Sequence, residues 1–453
     1  MREIKLAPDE LVRRLLSIET GRRLSLLDSC GVAGARLLIA GFDPFETIEV
    51  CGRQPRVVGR NEAEPRVIDA DALSLLDERL KRHASSSEGE FLSGACIATL
   101  SYELAHQLER LRSNSHARHE QGEPDAVFAF YDALVVHDYA WGKSFIVSRD
   151  EERADETEAA LLAARPLREP LTHGESCAGS NMTREEYLAA VLRIKEHIAA
   201  GDIYQANLTQ QLSCALPQEI EAEHLFLRLR RQHPSPFAAF IRRREDAVVS
   251  ISPERFLRVE PQTKLVEAWP IKGTRRRGVD EQEDALLRRE LLSSEKDRAE
   301  NVMIVDLLRN DLGRVCHYGS VEVAELCRLE EHPTLFHLVS KVRGALRDEV
   351  TAGELLRACF PCGSITGAPK IRAMEIIDEV ETAPRGLSMG AIGYFGFDGS
   401  LDLSVAIRTM TVRERVARFN VGGGIVADSD PALEYEESLI KARALLRALG
   451  VKH

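Results

Sequence analysis

The sequence lacks the features that would place it in a membrane or on nucleic acid. No uncharged apolar run approaches the ~18–20 residues that a membrane-spanning helix needs, and the opening stretch MREIKLAPDE has no apolar signal core. Lysine and arginine total 60 against 72 aspartate and glutamate residues, which gives a net charge of −12. Because nucleic acids are polyanions, this balance argues against nucleic-acid binding. We therefore expect a soluble, cytoplasmic protein.

The cysteines do not form a disulfide framework. There are nine of them, an odd number, scattered from Cys30 to Cys362. The one close pair is Cys359 and Cys362, and no second pair completes a zinc site. We expect inert thiols rather than a redox or metal centre.

Apolar patterning predicts a mixed α/β protein of the α+β type with largely antiparallel β-sheet. Short strand-like runs fill a first region, 1–166; the stretch 167–181 resembles a linker, and a second region spans 183–449. Thr183 and Glu186 form a capping-box pattern before a helix that ends at Gly201. The strand DIYQANLTQQLSC follows, with Gln205 and Asn207 on one face. Farther on we predict one long helix over 281–310, a strand LDLSVAIRTMTV and a C-terminal helix from about Pro431.

A lysine stands at the end of an apolar strand in AWPIKGTRRR. Lys272 could be a solvated surface cation, but if it is desolvated it could serve as a nucleophile or base. Glu254, in ISPERF, lies at a turn whose next strand leads back toward Lys272. The two residues could therefore form a surface ion pair or, in one pocket, a general acid and a nucleophile.

Three more carboxylates and two glycine-rich segments are candidates for binding. Glu300 could pair with Lys296, and Glu437 with Lys441, each at i,i+4; alternatively, Glu300, Glu434 and Glu437 could hold Mg²⁺ with a substrate carboxylate. VGGGIVADSDP superficially matches a dinucleotide fingerprint, but no βαβ unit follows, so we reject that reading. CGSITGAPK has free backbone N–H groups that suit an anion, and Arg408 in AIRTM is a candidate carboxylate clamp.

Seven sequence blocks in order resemble the chorismate-utilising enzymes, the family of anthranilate synthase component I. They are GDIYQANLTQ, SPERF, PIKGT, EKDRAENVMIVDLLRNDLGRV, FPCGSITGAPKIRAMEIIDEVE, GAIGYFGFDGSLDLSVAIRTM and GGGIVADSDPALEYEESLIKA. LLDSCG and FDPFE resemble the N-terminal part of the family. The resemblance implies one interwoven body, with large antiparallel β-sheets and helices outside them.

Two positions in the resemblance point to the reaction. Family members that add water carry a lysine at the position of Gln205, so Gln205 indicates an ammonia user. Anthranilate synthases usually read PIAGT, whereas the PIKGT form is similar to the members that convert chorismate and ammonia to 4-amino-4-deoxychorismate, toward 4-aminobenzoate and folate. The alternatives are an anthranilate synthase, which releases pyruvate, and a non-catalytic chorismate-binding subunit. The resemblance further implies ammonia from a separate glutaminase subunit, or from ammonium, because no glutaminase or lyase segment is recognisable.

The resemblance also assigns residues to roles. Lys272 would attack the ring, Glu254 would act as the acid, and Mg²⁺ would be held by Glu300 and Glu437 with Glu434 close by. Lys370 would support the pocket. The residues that would bind substrate are Gln205, Gly363, Ser364, Thr366, Tyr394, Arg408, Gly422, Gly423 and Gly424.

Some family members bind tryptophan at a regulatory or structural site. Ser29, Pro236, Phe237 and Ala238 occupy comparable positions. The local sequence SPFAAF departs from the PSPYMFF-like form of feedback-inhibited members, which argues against inhibition by tryptophan.

Overall fold

The computed structural model describes residues 1–32, 35–62, 64–85, 91–111, 122–170, 176–331 and 335–451; part of the predicted linker, 171–175, lies outside these ranges. The described helices are α1 (Pro8–Leu16), α2 (Ala72–His83), α3 (Ala105–Leu108), α4 (Glu151–Ala163), α5 (Arg184–Ala199), α6 (Ala222–Gln232), α7 (Glu281–Ser293), α8 (Glu295–Gly313), α9 (Ala352–Cys359), α10 (Lys370–Val380) and α11 (Pro431–Ala448). The described strands are β1 (Arg2–Ile4), β2 (Ser25–Asp28), β3 (Leu37–Gly41), β4 (Glu46–Cys51), β5 (Gln54–Gly59), β6 (Arg66–Val67), β7 (Ala95–Leu100), β8 (Ala126–Tyr131), β9 (Ala133–Asp138), β10 (Lys143–Ser148), β11 (Ala178–Ser180), β12 (Gln205–Ala215), β13 (Phe237–Arg242), β14 (Ala247–Ser252), β15 (Arg255–Glu260), β16 (Leu265–Trp269), β17 (Ile271–Arg276), β18 (Glu322–Glu331), β19 (Leu335–Ala345), β20 (Gly367–Ala368), β21 (Ala391–Gly396), β22 (Leu401–Val405), β23 (Thr409–Arg413) and β24 (Val416–Ile425).

The strands form two 12-stranded sheets. The first has the order β1-β10-β9-β3-β2-β13-β14-β23-β24-β12-β11, with β20 paired to β12. The second has the order β17-β19-β16-β15-β22-β21-β7-β8-β4-β5-β6, with β18 paired to β19. Each sheet joins strands from the first and second halves of the chain: β2 pairs with β13 in the first sheet, and β7 pairs with β21 in the second.

Hydrophobic clusters fill three interfaces around these sheets. One cluster lies between the two sheets and includes Ile39 and Val136 from the first and Ile97 and Ala129 from the second. Two larger clusters pack helices against the sheets, with α1, α6 and α11 on the first and α2, α8 and α9 on the second. Burial of apolar surface on both faces of each sheet is the main stabilising contribution. The antiparallel sheets with outer helices confirm the predicted fold class.

Two helices begin where the sequence predicts them. Thr183 Oγ1 accepts the Glu186 N–H at 3.2 Å and the Glu186 carboxylate accepts the Thr183 N–H at 2.7 Å, so the capping box of α5 is complete. The chain leaves α5 at Gly201, whose φ is +80°. Asp430 caps α11 by accepting the Ala432 and Leu433 N–H groups.

The prediction of one helix over 281–310 is wrong, because the chain breaks between α7 and α8. Ser294 is extended, with φ −68° and ψ 104°, and its hydroxyl accepts the Asp297 N–H at 3.2 Å. A serine in this conformation caps a new helix instead of continuing the old one. The break lets α8 run in a different direction from α7 and pack on β19.

The prediction of one strand in LDLSVAIRTMTV is also wrong. The segment forms β22 in the second sheet and β23 in the first, so the chain crosses between sheets at 406–408. Arg408 has φ +48°, an uncommon conformation for a residue with a side chain, and it turns the chain into β23. The crossing begins beside the turn that carries Glu254, where the Val405 N–H donates to the Glu254 carbonyl at 3.0 Å, and it ends beside β14, where the Arg408 carbonyl accepts the Ile251 N–H at 3.1 Å.

Among the helices of the described ranges, none combines the length and the apolar character that crossing a membrane requires.

Candidate active site

Lys272 and Glu254 meet at one residue of the loop 363–366. Lys272 lies on β17, and its Nζ donates to the Ser364 carbonyl oxygen at 3.1 Å. Glu254 lies between β14 and β15, where the Ser364 side chain and the Lys272 charge both act to lower the pKa of its carboxyl. Pro270 interrupts the sheet between β16 and β17. The two strands and the loop therefore bring an amine and a carboxyl group together, as the pocket alternative requires.

Glu254 is a buried acid with a perturbed proton affinity. The residue is 4% exposed, and burial raises the pKa of its carboxyl from 4.5 to about 7. The Ser364 side chain, the charge of Lys272 and the Ile271 N–H each act in the opposite direction. A carboxyl group with this pKa can hold a proton near neutral pH and donate it to a leaving group.

Lys272 is partly buried and lies among acidic side chains from three elements. Its positive charge lowers the pKa values of Glu254, of Glu300 on α8 and of Glu437 on α11. The surface-cation alternative therefore does not describe Lys272. Lys272 is therefore a cation within reach of three acids, and it must lose a proton before it can act as a nucleophile.

The arginines that follow Lys272 pair with acids of the next two helices. Arg275 contacts Glu290 at 2.8 Å and Asp297 at 3.1 Å. Arg276 pairs with Glu283 on α7, and Arg277 pairs with Asp284 at 2.6 Å. These pairs hold α7 against β17, the strand that carries Lys272.

Three carboxylates face one another across α8 and α11. Burial raises the pKa of Glu300, against the charges of Lys272 and Lys296. Lys296 contacts Glu434 Oε1 at 3.4 Å, and Ser429 Oγ donates to the same oxygen at 2.6 Å. The Lys296 ammonium thus bridges the two helices instead of forming the alternative i,i+4 salt bridge to Glu300.

Glu437 is held in its ionised form. The Lys441 ammonium, at 2.8 Å, lowers the pKa of the Glu437 carboxyl, so the i,i+4 pair predicted as an alternative does form. Lys441 also donates to the Gly422 carbonyl oxygen at 2.9 Å. A Cβ atom added at Gly423 would lie 3.4 Å from Glu434 Oε2 and 3.7 Å from Glu437 Oε1, so both carboxylates border this glycine.

The carboxylates of α8 and α11 fit a Mg²⁺ site that water and substrate oxygens would complete. In the described part of the chain, no three acidic, histidine or cysteine side chains are close enough to hold a metal ion by themselves. Mg²⁺ is commonly bound by one or two carboxylates, with the remaining positions filled by water and substrate oxygens. Glu300 and Glu437 offer hard oxygen ligands of this kind, and Lys272 and Lys441 offset part of their charge.

The wall opposite the carboxylates consists of β24 and β12. Asn207 pairs in register with Gly424, and Thr209 pairs with Gly422. A Cβ atom at Gly422 would lie 1.8 Å from the Leu208 carbonyl oxygen, and one at Gly424 would lie 2.0 Å from Gln205 Nε2. Side chains at both positions are therefore excluded, which leaves bare backbone beside Gln205.

Gln205 is 1% exposed, and its Oε1 atom has no hydrogen-bond partner among the residues that the structure describes. A buried carbonyl oxygen without a partner is costly. Its position at the start of β12, beside the glycines, makes it a candidate ligand-binding group.

The loop 363–366 is rigid and buried. Thr366 Oγ1 donates to the Cys362 carbonyl at 3.0 Å, and a Cβ atom at Gly363 would lie 2.6 Å from Leu307 on α8. Lys370 supports the loop from behind, because its Nζ donates to Asp311 at 2.6 Å and to the Cys359 carbonyl at 2.8 Å. Burial raises the pKa of the Cys362 thiol to about 12, in agreement with an inert cysteine.

Arg408 is a partly buried cation that has no acidic partner among the described residues. Burial lowers the pKa of its guanidinium, and none of the described residues forms a salt bridge with it. Because an unpaired buried charge is unfavourable, this arginine suits an anionic ligand, in agreement with a carboxylate clamp.

Tyr394 lies apart from this group. Its side chain packs on the hydrophobic cluster between the two sheets. Burial raises the pKa of the Tyr394 hydroxyl, and the charges of Asp402 and Asp398 act in the same direction. In the register of β21 it pairs with Ile97 and Asp402. We observe no contact between Tyr394 and Lys272, Glu254 or the three carboxylates in the described ranges.

The four candidate tryptophan residues lie on or directly beside two adjacent strands of the first sheet, β2 and β13. Ala238 pairs with Asp28, the residue before Ser29, and the Arg255 guanidinium stacks on the Phe237 ring at 5.1 Å. Ser29 Oγ is buried, with no partner among the described residues. Pro236 is partly buried and directly precedes β13.

No role for Asn207 was predicted from the sequence, although its alternation with Gln205 puts both residues on the same face of the strand. In the structure Asn207 pairs in register with Gly424 of β24. Period-2 alternation from Gln205 was the only signal that could have identified it.

Three comparisons with known proteins agree with this geometry. The family model described as chorismate binding enzyme matches residues 28–447. The chain is 37% identical to aminodeoxychorismate synthase component 1 of Bacillus subtilis, over 92% of this chain and 90% of that protein. It is 40% identical to anthranilate synthase component 1 of Pseudomonas putida, over 79% of this chain and 75% of that protein.

A solved structure is similar over nearly the whole fold. The crystal structure of anthranilate synthase component I from Streptococcus pneumoniae superposes with a TM-score of 0.79 at 30% identity, covering 90% of this chain and 92% of that one. The chain therefore belongs to the family of chorismate-binding enzymes.

Proposed function

We propose that this enzyme acts as aminodeoxychorismate synthase component 1, replacing the 4-hydroxyl group of chorismate with an amino group. The observation that carries the proposal is the meeting of Lys272 and Glu254 at Ser364, which combines a nucleophile with a protonated acid. Relatives named aminodeoxychorismate synthase component 1 over most of this chain support it.

The first step forms a covalent bond to the enzyme. After Lys272 has lost a proton to solvent, its amine attacks ring carbon 2 of chorismate, the two conjugated double bonds of the ring both shift, and the bond between carbon 4 and its oxygen breaks. Hydroxide is a poor leaving group, so Glu254 gives its proton to the departing oxygen and water leaves. Splitting one difficult substitution into two lowers the barrier of each part.

The second step releases the enzyme. Ammonia attacks carbon 4, the two double bonds shift back, and the bond between carbon 2 and Lys272 breaks. The Glu254 carboxylate accepts the proton that the incoming nitrogen loses. The sum is chorismate plus ammonia to 4-amino-4-deoxychorismate plus water. Gln205 Oε1, an acceptor without a partner among the described residues, is suited to accept a hydrogen bond from ammonia and so to orient it.

The remaining groups orient the substrate. Mg²⁺, when bound by Glu300 and Glu437 with Glu434 nearby, would neutralise the ring carboxylate. Arg408 and the backbone of Gly422, Gly423 and Gly424 would bind the enolpyruvyl carboxylate. We expect ammonia from a separate glutaminase partner, in line with the name component 1 of the relatives, and we expect the enzyme to work in the cytoplasm.

Product analysis tests the proposal. The purified chain is incubated with chorismate, Mg²⁺ and ammonium at alkaline pH, with and without a glutaminase partner and glutamine. The proposal predicts 4-amino-4-deoxychorismate without pyruvate. Anthranilate with an equal amount of pyruvate would instead identify an anthranilate synthase, the activity named for other relatives. Chorismate left unchanged in both arms would support a non-catalytic binding subunit.

A further inference from the structure

Asn207 occupies the face of β12 that points away from the local hydrophobic core. Its neighbours Ala206 and Leu208 pack in a cluster with α5 and α10. Because side chains alternate along a strand, Asn207 lies on the opposite face, with Gln205 and Thr209. The register places Asn207 against Gly424 of β24.

The backbone of Asn207 is held on both sides without help from its side chain. Its N–H donates to the Thr366 carbonyl at 2.6 Å, and its carbonyl oxygen accepts from Arg385 at 2.6 Å. Arg385 also donates to the Ile365 carbonyl at 2.8 Å and is ion-paired with Glu381 at 2.7 Å. This buried network fixes the position of Asn207 relative to the loop 363–366.

The amide nitrogen of Asn207 has no such partner. The residue is 7% exposed, and its Nδ2 atom is buried without an acceptor in the described ranges. On the same face, Thr209 Oγ1 donates to Glu381 at 2.9 Å and accepts from Asn420 at 3.1 Å. The donor without an acceptor, Asn207 Nδ2, therefore lies at the end of β12 that pairs with Gly424 of β24. A buried N–H group normally has an acceptor, so its partner is expected to come from a ligand.

We propose that Asn207 is a substrate-binding residue whose Nδ2 donates a hydrogen bond to an oxygen of the enolpyruvyl group of chorismate. The identity of the ligand rests on the proposed function. Chorismate offers acceptors at its ring carboxylate, its 4-hydroxyl and its enolpyruvyl group. In the proposed mechanism, the ring carboxylate binds through Mg²⁺ held by Glu300 and Glu437, and the 4-hydroxyl receives a proton from Glu254. The enolpyruvyl group is the remaining acceptor, and we place it beside Gly424 and Asn207.

Equilibrium binding of chorismate tests this assignment. It is measured with Mg²⁺ and without ammonia in a Lys272→Ala background, in which no bond to Lys272 can form. Loss of a hydrogen bond to a charged or strongly polar acceptor predicts that Asn207→Ala raises the dissociation constant of chorismate roughly 10- to 100-fold. Asn207→Asp, nearly the same shape but anionic, should raise it further because the substrate is a dianion.

A ring analogue locates the contact. The 3,4-dihydroxycyclohexadiene carboxylate that keeps the ring and its carboxylate but has a free 3-hydroxyl lacks the enolpyruvyl group. Its dissociation constant should change less than twofold in Asn207→Ala. An increase parallel to that for chorismate would overturn the assignment, since the contact would then lie on the ring.

A matched control is Asn420→Ala. Asn420 is a buried asparagine on β24 whose amide nitrogen donates to Thr209 Oγ1 at 3.1 Å and whose amide oxygen accepts from Gln211 at 3.5 Å. This variant should lower the melting temperature and leave the chorismate dissociation constant within twofold. If Asn207→Ala behaves in the same way, the residue is structural and the proposal is overturned.

The result is separable from the proposed function. Binding is measured without turnover, so an unmodified chain that makes anthranilate would refute the amination reaction but leave the Asn207 test intact. Failure of the Lys272→Ala protein to bind chorismate, or an unchanged dissociation constant in Asn207→Ala, would overturn the Asn207 proposal whatever the product.

Discussion

Replacing Glu254 with glutamine should remove activity and, at neutral and alkaline pH, stabilise the protein. The carboxyl group is 4% exposed, and burial raises its pKa from 4.5 to about 7. A folded-state pKa above the unfolded value means that the folded protein binds this proton more tightly than the unfolded chain does. The resulting contribution to stability is fully present below pH 4.5 and is lost as the pH rises through 7.

The magnitude follows from the size of the shift. One pKa unit corresponds to about 1.4 kcal/mol. The change from 4.5 to about 7 therefore lowers the free energy of unfolding by about 3 kcal/mol as the pH rises from below 4.5 to above 7. Glutamine does not titrate. The free energy of unfolding of Glu254→Gln, minus that of the unmodified protein, should therefore increase by about 3 kcal/mol between pH 4.5 and pH 8.

Urea unfolding at several pH values measures this difference, together with chorismate consumption at each pH. The control is Glu381→Gln, which removes one partner of the buried ion pair with Arg385 and should destabilise the protein at neutral pH. A stability difference for Glu254→Gln that stays constant from pH 4.5 to pH 8 would refute the reasoning. So would retention of full activity, because a glutamine side chain cannot donate the proton that the leaving hydroxyl needs.

Three further substitutions test separate parts of the site. Arg408→Met removes a partly buried cation that no described acid neutralises, so it should weaken chorismate binding roughly 10-fold or more without lowering the melting temperature; unchanged binding in a titration would contradict the carboxylate clamp. Glu437→Gln should raise the Mg²⁺ concentration needed for half-maximal activity several-fold, because a metal ligand loses its charge; an unchanged Mg²⁺ titration would remove this residue from the metal site. Arg275→Gln breaks contacts that hold α7 and α8 against β17, so hydrogen exchange in β17 should become faster and activity should fall; unaltered exchange would show that packing alone holds the strand.

The sequence predicted the elements better than their relation to one another. The capping box at Thr183 and the N-terminus of α11 were local signals, and both were confirmed. The break at Ser294 and the crossing at 406–408 were missed, because a helical or alternating pattern continues through them. Both depend on packing between distant segments, which a local pattern does not contain.

The candidate site was predictable as residue types but not as geometry. From sequence alone, Lys272 could be a solvated cation, since three arginines follow it. Its environment is decided by the acids of α7 and α8, which pair with those arginines and leave Lys272 facing Glu254. Tyr394 shows the opposite outcome: its motif suggested the pocket, but the strand turns its ring toward the core between the sheets. A local sequence pattern does not show which neighbouring element a given face of a strand will pack against.

The most direct test of the central claim is the intact mass of the enzyme after reaction with chorismate in the absence of ammonia. The account predicts an adduct equal to one chorismate less one water, located on Lys272 by peptide mapping, lost on addition of ammonium and absent in Lys272→Ala. A Lys272→Ala protein that still forms 4-amino-4-deoxychorismate at the rate of the unmodified enzyme would contradict it.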